Sequence, residues 1–253
     1  GIRDRSPSRG LGDVYKRQVY LRNSSRRGAA SSRQTGLEHA TNEFVMYGED
    51  DAYLRDDYVR VLARKLSECE ADIVSGRIIY LERGEVEEDA LVRFGCGVPG
   101  KAIFNQAMFC MEHDAYYTGD VEVYFTHALY MAKKSILKEL GFDDYYHKAH
   151  GYREETDIQI NAHISGYKIV QTSEAFCFHM HYSEVPVGGQ RINRFTRFRY
   201  GVQYTNYMFD KYYRHLGMKK SINVAKLSFA FSYFITLFIK PISKLRGVLK
   251  NND

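Results

Sequence analysis

Cysteine is sparse and unpatterned: Cys69, Cys96, Cys110 and Cys177 form no CxxC motif and no metal-ligand spacing. A zinc module and a disulfide-stapled secreted domain are both disfavoured, and reduced thiols in a cytoplasmic protein are the simple reading. No signal peptide is visible, and no unbroken apolar run is long enough to span about 30 Å of hydrocarbon. No internal repeat stands out. No nucleic-acid-binding motif accompanies the basic segments, so no nucleic-acid partner is expected. Acidic residues are scarce in residues 1–33 and again from Arg191 to Lys250, and they gather between residues 49 and 90. Such a distribution describes an acidic, cation-using centre with a basic tail suited to anionic substrates or an anionic membrane face.

What is present is ordinary for a globular protein: 44% hydrophobic and 26% charged residues, with a net charge of +5 over 253 residues. That length holds one large α/β domain, or a domain with a tail, and can bury a core. Residues 1–18, GIRDRSPSRGLGDVYKRQ, have no hydrophobic period. They read as a disordered basic arm or, by resemblance, as a translated linker of the kind met at the start of metagenomic reading frames, and are set aside as a leader.

A short helix is expected around Ala29, Ala30, Arg33 and Leu37, then a strand over Phe44–Tyr47. A helix entered from Asp56 or Asp57 follows, with Val59, Leu62, Ala63 and Leu66 along one face. Ala71–Tyr80 is a second strand, and Glu82–Asp89 a solvated acidic excursion within loops that run to residue 120. Val121–Met131 reads as a strand, Lys133–Leu140 as a helix stopped by Gly141, and Tyr152–Ser165 as a helix. Tyr167–Val170 and Ala175–His179 read as two more strands. Strands alternating with helices of about ten residues place the chain in the α/β class.

The run Phe44–Tyr47 ends at Gly48 and delivers Glu49, Asp50 and Asp51 to the carboxyl edge of a sheet, where open α/β sheets bind ligands. Three adjacent carboxylates repel one another unless a cation or donors hold them. A hard divalent ion, Mn²⁺ or Mg²⁺, bridging to phosphate oxygens meets that need; a solvated acidic turn is the alternative. Downstream, REETD sets Glu154, Glu155 and Asp157 in a first helical turn, either as carboxylates for proton transfer or as complements of the helix macrodipole. His179 and His181 alternate on one strand face.

Four segments thus stand in order: SSRQTGLEHA, YGEDDAYL, GFDDYYHKAHGYREETD, and FHMH followed by GGQR. Their succession resembles the catalytic domain of glycosyltransferase family 2, over Arg22 to Arg191. The resemblance implies a GT-A-like, Rossmann-related mixed sheet flanked by helices, lacking its first strands, plus a helical C-terminal tail. On this basis residues 1–18 are the leader, 19–190 a partial catalytic domain and 191–253 the tail. It also implies metal-dependent transfer of a sugar, with inversion, from a nucleotide-sugar donor to a glycan or lipid-linked acceptor. Arg33, Glu49, Asp50 and, beyond Gly188 and Gly189, Arg191 would hold the nucleotide sugar. Asp51, Glu49, His179 and His181 would supply the ligands of Mn²⁺ or Mg²⁺. Glu155 stands where the general base falls, with Glu154 and Asp157 beside it, and Thr126 and His127 fall where the acceptor binds. Glu49 replaces the usual Asp of the Asp-x-Asp motif, and Gln34 the usual Asn after Arg33. Two alternatives remain: a catalytically incomplete fragment of the same fold, and a metal-dependent hydrolase using Glu49, Asp51, His179 and His181.

The tail from Arg191 to Tyr213 is rich in Arg and Tyr and reads as helical. Leu227–Ile239 is an apolar run of 13 residues flanked by Lys219, Lys220 and Lys226 before it and Lys240, Lys244 and Arg246 after it. It reads as an interfacial helix, with residues 221–250 touching an anionic membrane, or as a helix packed on the catalytic domain. The first reading puts the protein in the cytoplasm, peripheral at the inner face of the cell membrane.

Overall fold

A computed structural model of the chain describes residues 18–23, 28–68, 71–95, 97–147, 152–185 and 192–240. Nearly all of the expected leader, and Arg191 with its glycine loop, lie outside the described residues. In chain order the elements are α1 (Gly28–His39), β1 (Phe44–Met46), β2 (Ala52–Leu54), α2 (Tyr58–Glu68), β3 (Ile73–Tyr80) and α3 (Glu87–Phe94). A small hairpin, β4 (Phe104–Asn105) with β5 (Cys110–Met111), precedes β6 (Asp120–Glu122), β7 (Met131–Lys133), α4 (Lys134–Leu140) and α5 (Glu154–Ile164). Then come β8 (Ile169–His179), α6 (Arg194–Tyr212) and α7 (Ile222–Phe234), which runs on as a π-helical segment, Ile235–Ile239.

The main sheet has the order β1-β7-β3-β8-β2, with β6 also pairing β8. Only β3 and β8 run parallel; β1 with β7, β7 with β3, β2 with β8 and β6 with β8 are antiparallel. Helices cover both faces, as alternation along each strand requires. Ile73, Ala132 and Ile169 enter a core shared with α1, α5, α6 and α7. Their neighbours Val74, Met131 and Val170 turn the other way onto Tyr58, Leu62 and Leu66 of α2. Each fully buried leucine in that layer stabilises the fold by about 1.5–3 kcal/mol.

Several elements differ from the sequence expectation for identifiable reasons. Val59 is 49% exposed while Tyr58 is fully buried, so the inward face of α2 is turned by one residue. The Tyr58 hydroxyl explains the choice: it donates to the Leu129 carbonyl and accepts from Gly76 N–H, both at 3.0 Å. Glu87, Glu88 and Asp89 are the first turn of α3 and not a loop, a favourable place for acids beside unsatisfied N–H groups. Val121–Met131 splits into β6 and β7, and the segment between them buries Phe125, Leu129 and Tyr130 without strand pairing.

The polar stretch Gln171–Glu174 does not break β8. Gln171 and Thr172 are buried, and Glu174 pairs with Lys65 at 2.5 Å. A register shift between Ser75 and Arg77 accommodates it. Gly76 sits at that bulge, where a Cβ would come within 2.5 Å of the Ala175 carbonyl oxygen. The tail helices belong to the same core: Tyr204, Met208, Phe209 and Phe229 cluster with Phe125, Phe142 and Tyr146. Ile222–Ile239 is a continuous 18-residue helix, long and apolar enough by length and composition to cross a membrane. The unbroken apolar run is shorter because Asn223 and Lys226 interrupt its beginning.

Candidate active site

The acids leave the sheet between two strands that pair with different partners. β2 runs antiparallel to the end of β8 with Ala52 opposite His179, and Met180 N–H donates to the Asp51 carbonyl at 2.8 Å. This register carries Asp51 to His179, whose Nε2 lies 3.4 Å from Asp51 Oδ1. One ligand atom each from Glu49, Asp51 and His179 lie within 4.8 Å of one another. His179 Nδ1 is 3.0 Å from the Met180 carbonyl, which can only accept. Nδ1 therefore carries a proton, and Nε2 is the nitrogen that faces the carboxylates, where a metal ligand would have to be.

Two carboxylates and one imidazole suit a divalent ion such as Mn²⁺ or Mg²⁺. The electrostatics agree. Burial raises the Glu49 carboxyl, Glu155 and Asp51 raise it further, and only His179 and Arg33 oppose. Added positive charge would relieve this crowding. Asp50 is solvent-exposed and outside the triad. His181 is also outside it. β8 ends at His179, so strand alternation does not extend to His181, whose Nδ1 is 2.7 Å from Ser183 Oγ.

A second group of acids opens α5. Arg153, buried and left-handed at φ 70°, donates to the carbonyls of Phe109 at 2.7 Å and Met108 at 3.0 Å. Among the described residues Phe109 is the other non-glycine residue with positive φ, at 46°. The two strained residues hold each other, and so fix where the helix starts. Arg33, from α1, lies 2.7 Å from Glu154 and 3.8 Å from Glu155, with side-chain exposures of 7% for Glu154 and 23% for Glu155. Burial, then the charge of Glu155, pushes the Glu154 carboxyl up to about 7 against the pull of Arg33. Glu154 is thus committed to Arg33, and Glu155 is the more accessible carboxylate.

Three expected site residues have other work. Asp157 is 3% exposed and takes hydrogen bonds from Tyr146 at 3.0 Å, Tyr212 at 3.1 Å and Lys211 at 2.8 Å. Its lone pairs are used and no substrate reaches it, so it is a clamp between α5 and α6. Thr126 and His127 are 3% and 7% exposed and cannot meet an acceptor. Thr126 N–H and hydroxyl both reach Gln159 Oε1, at 2.7 and 2.9 Å. His127 Nε2 donates to the Gly76 carbonyl at 2.9 Å, and its Nδ1 accepts from Leu129 N–H at 3.1 Å. These contacts brace α5 and the β3 bulge. A buried, polar-paired stretch resembles an exposed one in sequence, so the family resemblance alone did not show that these two side chains are enclosed.

Tyr80 is the residue that sequence reasoning passed over. It ends β3 at the same sheet edge, 47% exposed, with its ring 4.9 Å from that of His179 and 5.7 Å from that of His113. Burial of its hydroxyl end and the charges of Glu49, Asp51 and Glu155 all raise its phenol above the ordinary value. It therefore stands beside His179, within electrostatic reach of the other triad acids and of Glu155. It also lines a cavity of about 280 Å³ with Phe94, Lys101, Glu112, His113 and Asp114. The only signal in the sequence was its place as the last residue of a strand whose edge carries the site.

Residues 7–141 match the family described as Glycosyl transferase family 2. That is more than half of the chain. It belongs to glycosyl transferase family 2. The match takes in Arg33, Glu49 and Asp51, while Glu155 on α5 and His179 on β8 lie beyond it. Among solved structures, this family 2 chain is similar to S. aureus TarS 1-349 in complex with UDP-GlcNAc, at 10% identity and a TM-score of 0.53, covering 88% of this chain and 59% of that one. It is also similar to GalNAc-T7 with UDP, GalNAc and Mn²⁺, at 14% identity and a TM-score of 0.51, covering 88% of this chain and 45% of that one. The chain thus spans about half of each neighbour, and the likeness is one of fold. No curated protein matches it.

Proposed function

We propose that this protein transfers a sugar, with inversion, from a nucleotide-sugar donor to a hydroxyl of a glycan or lipid-linked acceptor. The observation that carries the reading is the cluster of Glu49, Asp51 and His179 in one electrostatic unit with Glu155, at the edge of a family 2 sheet. Glu49, Asp51 and His179 would hold Mn²⁺ or Mg²⁺. Such an ion, when bound, neutralises charge that gathers on a departing diphosphate.

The chain's own groups do the rest. Glu155 takes the proton of the acceptor hydroxyl as its oxygen attacks the anomeric carbon. The bond from that carbon to the diphosphate oxygen breaks, its electron pair leaving with the diphosphate, and one displacement inverts the centre. Arg33 anchors Glu154 so that a single carboxylate of the pair is free to act. Tyr80 offers the acceptor an aromatic platform beside the triad, and the cavity it lines gives room for a sugar ring. Two free thiols among the described residues, Cys110 and Cys177, fit a cytoplasmic setting.

Uridine diphosphate is the first probe, since one neighbour named above is in complex with UDP-GlcNAc and the other with UDP. Its binding, measured by titration calorimetry, should require Mn²⁺ or Mg²⁺. Asp51→Asn should weaken metal-dependent binding at least about tenfold, the loss of one charged contact. Unchanged affinity would remove Asp51 from the ligand set. Glu155→Gln should keep nucleotide binding and lower transfer by about 10²–10⁴-fold; normal turnover in that variant would remove Glu155 as the base.

A further inference from the structure

Helices α6 and α7 pack as an antiparallel pair. Phe209 meets Phe229 near one end, and Phe198 meets Tyr233, Phe234 and Phe238 at the other. Lys226 closes on Asp210 at 2.6 Å between them. Ala225, Phe229 and Tyr233, four residues apart, are the buried positions of α7. The opposite face is apolar and bare: Val224, Leu227, Phe231 and Phe234 are 52%, 74%, 65% and 43% exposed. Phe195, one turn before Phe198 on α6, is exposed too.

A helix of the protein core would be mostly buried, yet only 17% of Ile222–Ile239 is, at a mean hydropathy of 1.6. Its one charged side chain, Lys226, is held by Asp210. Positive charge gathers at the ends instead. Lys219 and Lys220 stand exposed before α7 and Lys240 after it, while Arg194, Arg197 and Arg199 are exposed on the part of α6 beside the end of α7. From Arg191 to Asp253 the sequence holds 13 Lys and Arg against 2 Asp.

We propose that this face of α7 lies flat on an anionic lipid bilayer, with Leu227 and Phe231 at its centre. The charge decides the occupant. A second copy of the chain would bring the same basic ends together, whereas anionic headgroups neutralise them. The helix lies along the interface and does not cross it, because its other face is committed to α6. The catalytic reading of the triad is not needed for this proposal.

The test is co-sedimentation of the full chain with phosphatidylcholine vesicles, with and without phosphatidylglycerol, at low salt. Binding is expected to the anionic vesicles and at least tenfold more weakly to the neutral ones. Leu227→Glu with Phe231→Glu should lower binding to anionic vesicles at least tenfold and leave the thermal melt unchanged, since both side chains lie outside the core. Lys219→Gln with Lys220→Gln should cost about fivefold per lysine. The proposal is overturned if the wild type ignores anionic vesicles, or if the Leu227/Phe231 variant sediments as well as the wild type. It is equally overturned if light scattering shows a dimer that this variant abolishes while vesicles are not bound, for then a second copy covers the face.

Discussion

Replacing Lys211 by Met tests whether the tail holds α5 in place. Lys211 Nζ lies 2.6 Å from Asp143 and 2.8 Å from Asp157, joining α6 to the turn before α5 and to the helix itself. Side-chain exposure is 25% for Lys211 and Asp143 and 5% for Asp157. With the cation gone, Asp143 can be rehydrated, while Asp157 keeps only two phenol donors in a nearly dry site. Burial already raises the Asp157 carboxyl, and Lys211 is the largest influence opposing that rise. Removing one partner of a buried pair costs about 3–5 kcal/mol, and the partial exposure at Asp143 argues for the lower end, about 3 kcal/mol. For a chain of this size that is a fall in Tm of about 6–12 °C. Asp157→Asn in the Lys211→Met background should return part of the loss, because the stranded charge is then absent. Urea melts of the two single variants and the double variant would give a coupling of about 1–3 kcal/mol. A loss below about 1 kcal/mol for Lys211→Met, or additive single changes, would refute the clamp.

Burial drives His127 down to about 3 from the ordinary 6.5. The unfolded chain binds that proton first, so the stability this neutral imidazole confers is complete above pH 6.5 and is lost progressively as pH falls toward 3. Between pH 7 and 5 the wild type should lose about 2 kcal/mol relative to His127→Gln, measured as the difference in urea midpoints; equal slopes would show that the imidazole titrates normally. Glu154, held near 7, pulls the wild-type curve the other way, and the comparison between variants cancels it. Gly201→Val should loosen the α6–α7 pair, since a Cβ at that position would collide with the Tyr233 ring. A cost of about 1–3 kcal/mol is expected, and an unchanged melt would mean that Tyr233 moves aside freely.

The parts of the fold that could be read from the chain were those with local causes. The existence and rough bounds of α2, β3, α4 and α5 follow from residues within or beside them. Gly141 ends α4 with its N–H on the Leu137 carbonyl and φ of 64°, as a glycine stop should. What stayed hidden was set by partners far away in sequence. β2 is three residues long and exists because the end of β8 pairs with it. That same pairing, absent from any local pattern, separates His179 from His181. Asp157 and Glu155 look equivalent in REETD, and only Lys211, Tyr212 and Tyr146 distinguish a clamp from an accessible acid.

The first turn of α5 is therefore held by three elements that meet nowhere in the sequence. Arg33 of α1 fixes Glu154, the hairpin carbonyls at Met108 and Phe109 fix Arg153, and Lys211 of α6 fixes Asp157. Glu155 is the residue among these left partly open, so its position depends on all three anchors. This also decides how the tail must be perturbed. Phe229 and Tyr233 are 1% and 6% exposed in the shared core, so truncation before α7 would strip about 1.5–3 kcal/mol per side chain from the domain. It would disturb the candidate site and the outer face of α7 together. Changes at Leu227 and Phe231 touch only the outer face of the same helix, and they separate the proposed lipid contact from the integrity of the candidate site.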